Sequence, residues 1–180
     1  MPKGSTYDAR WEQLASSGQN VHGEADFIAE LNPSSVLDAG CGTGRVAIEL
    51  VRRGINSVGV DLDPEMLETA RRKAPSMEWV EADLQEFTVE KNFDVAILAG
   101  NVMVFVLPGS EERVVQRVAE HLRDGGLFVS GFSLGTDGIG LTQYDEVMER
   151  LGLVPAGRWS TWQKEPFTDG KYAVSAHRKI

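Results

Sequence analysis

The chain has 180 residues, 42% hydrophobic and 25% charged, with a net charge of −9 at pH 7 and an isoelectric point of about 4.8. That length suits one domain with a core of its own, and the acidic balance argues against a nucleic acid partner, which calls for a basic stripe. A single cysteine, Cys41, excludes an internal disulfide and three histidines make a zinc site improbable, while the longest apolar runs, near residues 95–99 and 102–107, fall far short of the roughly 20 residues that span a bilayer.

Residues 1–5 read as a loose polar start. No basic-then-apolar segment opens the chain, so the expected location is cytoplasmic. Tyr7 to Ala15 is expected to form a short helix with Tyr7, Trp11 and Leu14 on one side. Residues 16–20 break it. Gly23 to Leu31 is a second helical segment, ended by Asn32-Pro33-Ser34. From there strands and helices alternate. Ser35–Ala39 reads as a buried strand and Arg45–Arg53 as a helix, with Gly54 where a terminal glycine belongs. Asn56–Asp61 is a strand. Asp63 and Pro64 fit the cap and first position of the next helix. Glu78–Ala82 and Phe93–Ala99 are strands, and Ser110 is expected to cap the helix carrying Val114, Val115, Val118, Ala119 and Leu122. Asp124-Gly125-Gly126 turns into the strand Leu127–Ser133.

This alternation implies an α/β fold, a mostly parallel sheet with helices on both faces. The tail departs from it. After a helix around Tyr144–Leu151, strands at Leu153–Trp162 and Lys171–Arg178 are separated by too few residues for a parallel return. They are expected to form an antiparallel hairpin at one sheet edge.

The segment from Val36 to Gly44, VLDAGCGTG, carries the chemistry. A glycine-rich turn between strand and helix lets a ligand approach the backbone, with helix N–H groups pointing at it. Asp38 at the strand end favours a cationic group, such as an amine or a sulfonium. In open α/β sheets ligands bind outside the carboxyl ends of the strands. There the chain places Asp38 with Gly40, Gly42 and Gly44, then Asp61, then Asp83, then Gly100 and Asn101. Asp61 can accept both hydroxyls of a ribose, and Asp83 an exocyclic amine of adenine. Cys41 reads most simply as a small residue in a tight loop.

These residues resemble those of the class I S-adenosylmethionine-dependent methyltransferases. The likeness covers residues 33–134. DAGCGTG resembles the family's first motif, GVDLDPEML (59–67) its second, EADLQEF (81–87) its third and FDVAILAGNV (93–102) its fourth. The resemblance implies a three-layer αβα sandwich whose seven strands run in the order 3-2-1-4-5-7-6. It implies S-adenosyl-L-methionine as cofactor. Gly40, Gly42 and Gly44 would line its methionine portion, with Asp38 near the ammonium. Asp61 would hold the ribose, Leu62 would pack on the adenine, and Asp83 and the Leu84 backbone would bond its edge. Gly100 would pass close to the methionine portion, and Asn101 beside it would belong to the cofactor site. Residues 1–32 would form a helical segment with Tyr7 and Trp11 as a lid, residues 33–134 the cofactor core, and residues 135–180 a loop, helix and hairpin.

For the acceptor, Phe105, Trp159 and Trp162 point to an apolar or aromatic small molecule, with Val102–Leu107 and the 135–140 loop completing the wall. His22 is the candidate base, should the nucleophile arrive protonated; His121 and His177 read as structural. No metal site is expected, because the ends of the fourth and fifth strands lack acids. Two other readings compete. A nicotinamide-dependent oxidoreductase would want glycine where Arg45 stands. A non-catalytic binder of the same cofactor keeps every motif.

Overall fold

The computed structural model describes residues 4–135 and 138–180. Seven helices and seven strands follow one another as α1 (Gly4–Ser16), α2 (Gly23–Ala29), β1 (Ser35–Ala39), α3 (Arg45–Arg52), β2 (Asn56–Asp61), α4 (Pro64–Lys73), β3 (Glu78–Glu81), β4 (Phe93–Leu98), α5 (Val102–Phe105), α6 (Glu111–Glu120), β5 (Leu122–Ser133), α7 (Leu141–Arg150), β6 (Leu153–Trp159) and β7 (Tyr172–Lys179) among the described residues.

The sheet has the order β3-β2-β1-β4-β5-β7-β6. Its first five strands run parallel, and β7 pairs antiparallel with both β5 and β6. This is the αβα sandwich and strand order that the family resemblance implies. β1 and β4 sit at the centre, and every residue of β4 is buried. Strands covered on both faces read as continuous apolar runs, which is why Phe93–Leu98 shows no alternation.

Side-chain alternation splits the core in two. Val36, Val95 and Ile97 face α2 and α3, packing with Phe27, Ile28, Val46 and Leu50. Leu37, Ala96 and Leu98 face the other way, against Val114 and Val118 of α6 and Tyr144 of α7. The first of these faces explains a feature of the site: Asp38 has the parity of Val36, so its carboxylate points toward α3.

Several local expectations are corrected. Ser110 does not cap α6; its hydroxyl donates to the Leu107 carbonyl at 2.7 Å, and Glu111 reaches back to the Gly109 N–H at 2.7 Å. The turn at Asp124-Gly125-Gly126 lies inside β5, which begins at Leu122. Pairing with β4 shifts there, from Phe93 with Leu122 to Val95 with Leu127. β6 ends at Trp159, so Trp162 lies beyond the strand. Residues 102–105 form a short helix, an element the apolar run had concealed. Thr136 and Asp137 of the glycine-rich loop lie outside the described residues. No helix among the described residues is long and apolar enough to cross a membrane.

Candidate active site

The sheet order reverses between β1 and β4, and a cleft of about 350 Å³ opens at their carboxyl ends. Such a switch point is where a crevice forms, because the connections from adjacent strands leave in opposite directions. The cleft is lined by Tyr7, Gly40, Cys41, Gly42, Asp61, Leu62, Asp83, Leu84, Gly100 and Phe105, among others. Ten positions from distant parts of the sequence thus meet around one hollow.

The glycine turn is built for close approach. Gly40 sits at φ +81°, and a Cβ there would lie 2.4 Å from the Val102 Cγ2. Gly42 sits at φ +54° with open space where its side chain would be, so its backbone is bare toward the cleft. The Gly40 and Cys41 N–H groups donate to the Val60 carbonyl at 2.8 and 3.0 Å, which anchors the turn to the end of β2. Gly44 has another reason for being glycine. It does not line the cleft; a Cβ there would strike the Trp79 ring at 2.4 Å.

Asp61 joins the turn to the next helix. Its Oδ2 accepts from the Gly42 N–H at 2.7 Å and its Oδ1 from the Asp63 N–H at 2.9 Å. A carboxylate has about four acceptor positions, so capacity remains toward the cleft. Asp63 in turn caps α4 through the N–H groups of Glu65 and Met66, as its sequence position predicts. Asp83 accepts from the Gln85 N–H at 2.8 Å and the Gln85 Nε2 at 3.3 Å. Leu62, next to Asp61 in the chain, lines the same cleft and is 64% exposed, an apolar side chain left open there.

Other expected site residues lie elsewhere. Asp38 is only 2% exposed and does not line the cleft. Its Oδ2 accepts from the Ala47 N–H at 3.1 Å, satisfying the first turn of α3. Burial pushes its carboxyl up to about 7, against the lowering effects of that hydrogen bond and of Arg45. Asn101 takes a left-handed conformation, φ +67°, and its Oδ1 accepts from the Ser133 N–H at 2.8 Å, tying β4 to β5. His22 sits at the start of α2, with its Nε2 3.9 Å from Glu49, away from the cleft lining. Trp159 and Trp162 pack edge-on against Phe27, at centroid distances of 5.1 and 5.5 Å. They hold α2 to the sheet and do not line the cleft. Trp11 lies 3.8 Å beneath the Arg45 guanidinium.

The two remaining histidines are structural, as expected. His121 accepts from the Val89 N–H and stacks on Phe87. His177 is buried beside Tyr144, and burial drives its imidazole down to about 4. Cys41 lines the cleft, but burial, with Asp38 and Asp61 nearby, pushes its thiol up and keeps it protonated. Val106 and Leu107, within the stretch 102–107 expected to form the wall, also line the cleft, as do Ser110 and Val114, which the sequence reading did not place there.

Residues 36–126 match the family described as a methyltransferase domain. The chain is 32% identical to a TehB-like SAM-dependent methyltransferase of Corynebacterium glutamicum, whose structure superposes with a TM-score of 0.90 over 98% of each chain. The chain belongs to the S-adenosylmethionine-dependent methyltransferases. This methyltransferase is also 30% identical, over 154 residues, to a trans-aconitate 2-methyltransferase of Azoarcus sp.; the match covers 83% of this chain and 56% of the relative. It is 31% identical over 127 residues to a dTDP-3-amino-3,4,6-trideoxy-alpha-D-glucopyranose N,N-dimethyltransferase of Streptomyces venezuelae, covering 68% and 52%. The matches span about half the length of these two curated relatives.

Proposed function

We propose that this methyltransferase transfers the methyl group of S-adenosylmethionine to a small-molecule acceptor. One observation carries the reading: Leu62, exposed and apolar, lines one cleft together with the carboxylates Asp61 and Asp83 and the glycine turn. That combination fits an adenosine, with an apolar face to cover and polar groups at both ends. Asp61 would accept from the ribose hydroxyls, Asp83 from the adenine amine, and the Leu84 backbone would meet the ring edge. The bare backbone of Gly42, with Gly40 and Gly100, would border the methionine portion. Asp38 acts beneath the turn, holding the start of α3.

When bound, S-adenosylmethionine supplies a methyl group on an already activated sulfonium. The chain's own residues position and enclose. Among the described residues no imidazole lines the cleft, which supports an enzyme that works by alignment. Alignment of this kind supplies up to roughly 7–11 kcal/mol. Phe105 and Leu107, 62% and 70% exposed at the rim, favour an acceptor with apolar surface. The acidic balance of the chain favours a small molecule over nucleic acid, and the proposed location is cytoplasmic.

Calorimetric titration tests the cofactor. S-adenosylhomocysteine is expected to bind at micromolar concentration while NAD gives no heat; the reverse pattern would overturn the proposal. Incubation with methyl-labelled S-adenosylmethionine and a cellular small-molecule extract then separates enzyme from binder. Label entering extract compounds is the expected result.

A further inference from the structure

Gly59 lies inside β2, where no turn calls for a glycine. Its register neighbours are Asp38 of β1 on one side and Trp79 of the edge strand β3 on the other. A side chain at this position would have no room. Its Cβ would lie 2.4 Å from Cζ3 and 2.5 Å from Cε3 of Trp79, and 2.8 Å from the Cys41 Sγ. The same six-membered ring closes on Gly44, the N-cap of α3, where a Cβ would lie 2.4 Å from Cη2. One half-buried indole thus fills the space of two side chains, and glycine inside a strand marks such a close approach. The five-membered ring is tethered, since Nε1 donates to the Ala74 carbonyl just past α4 at 3.0 Å.

The two glycines belong to different halves of the cleft wall. Gly44 ends the turn whose Gly40, Cys41 and Gly42 line the cleft, and Gly59 stands two residues before Asp61 on β2. The Gly42 N–H, donating to Asp61 at 2.7 Å, joins the halves.

We propose that Trp79 is a positioning residue for the cofactor: its indole is the spacer that seats the glycine turn against β2 and so fixes Gly42 relative to Asp61. This rests on the cofactor reading above. Trp79 does not line the cleft and acts through Gly44, Cys41 and Gly59. Truncating it leaves a void beneath the turn, and packed surroundings relax partly into such a void. Gly40, Gly42 and Gly44 have no side chains to resist that shift. The turn then meets its ligand out of place, and a displacement of about 1 Å in a preorganised site costs up to about a hundredfold.

Calorimetry with S-adenosylhomocysteine, paired with urea unfolding, separates positioning from support. Trp79→Ala is expected to weaken binding by about tenfold or more. Trp162→Ala removes an equally large ring from the scaffold and is the control for lost stability; it is expected to leave affinity within about twofold. Trp79→Phe, whose smaller ring reaches Gly59 but not Gly44, is expected to fall between and guards against a Trp79→Ala protein that does not fold. Affinity within twofold of wild type in the folded Trp79 variants would overturn the proposal. Gly59→Ala displaces the ring without removing it. It is expected to weaken binding in the wild-type background and to matter much less beside Trp79→Ala; equal effects in both backgrounds would also overturn it. Hydrogen exchange of residues 40–44 in the ligand-free protein tests the seat without the cofactor. Faster exchange is expected in Trp79→Ala than in Trp162→Ala, and equal protection would overturn the spacer. If S-adenosylhomocysteine failed to bind the wild-type protein, the proposed function would fall, and the exchange measurement would still decide whether Trp79 seats the turn.

Discussion

Asp38→Asn should change how stability depends on pH. Asp38 lies beneath the glycine turn, 2% exposed, and its burial raises the carboxyl from the ordinary 3.8 to about 7. A group that holds its proton more tightly when folded stabilises the fold at low pH. That contribution is full below about pH 4 and is lost as pH rises through 7. The interval from 3.8 to about 7 corresponds to roughly 4 kcal/mol at about 1.36 kcal/mol per pH unit. Asparagine has nearly the same shape, and its Oδ1 can still accept from the Ala47 N–H, 3.1 Å from the present Oδ2, but it never ionises. Urea unfolding of both proteins from pH 4 to pH 8 measures the difference. The variant's stability relative to wild type is expected to rise by about 4 kcal/mol across that range and then level off. A difference that stays constant with pH would refute the reasoning and show that the carboxylate is ionised in the fold throughout.

Three further outcomes are expected. Asp61→Ala should weaken S-adenosylhomocysteine binding by about 1–3 kcal/mol in a calorimetric titration, since a charged acceptor beside the cleft is lost. Gly40→Ala places a Cβ 2.4 Å from the Val102 Cγ2 at φ +81°; thermal unfolding should show a loss of about 1–3 kcal/mol, part of it recovered by adding Val102→Ala. Trp162→Ala removes the ring that packs on Phe27 and donates to the Tyr172 hydroxyl at 3.0 Å. It should destabilise the fold by about 3 kcal/mol while leaving cofactor affinity within about twofold, because Trp162 lies away from the cleft.

Much of this protein was legible in its residues. Strand–helix alternation and the short link between the last two strands predict a parallel sheet with an antiparallel edge. The turn at Gly40-Cys41-Gly42 and the acids after β2 and β3 are local signals, because a positive φ, a cap or a strand end leaves its mark within a few neighbouring residues. The sequence therefore carried the fold and much of the cleft lining: Gly40, Gly42, Asp61, Leu62, Asp83, Leu84 and Gly100. Only the tertiary structure decided where each remaining side chain points. Asp38 follows Val36 in parity and turns inward to α3, whereas Asp61, at the end of the neighbouring strand, faces the cleft. Trp159 and Trp162 look like a substrate wall in sequence, and packing against Phe27 makes them part of the scaffold. Asp8 has no local motif at all; its partners, Thr43 and Lys73, are 35 and 65 residues away. Contacts across such separations depend on how helices seat on the sheet, and no periodicity or spacing within the chain encodes them.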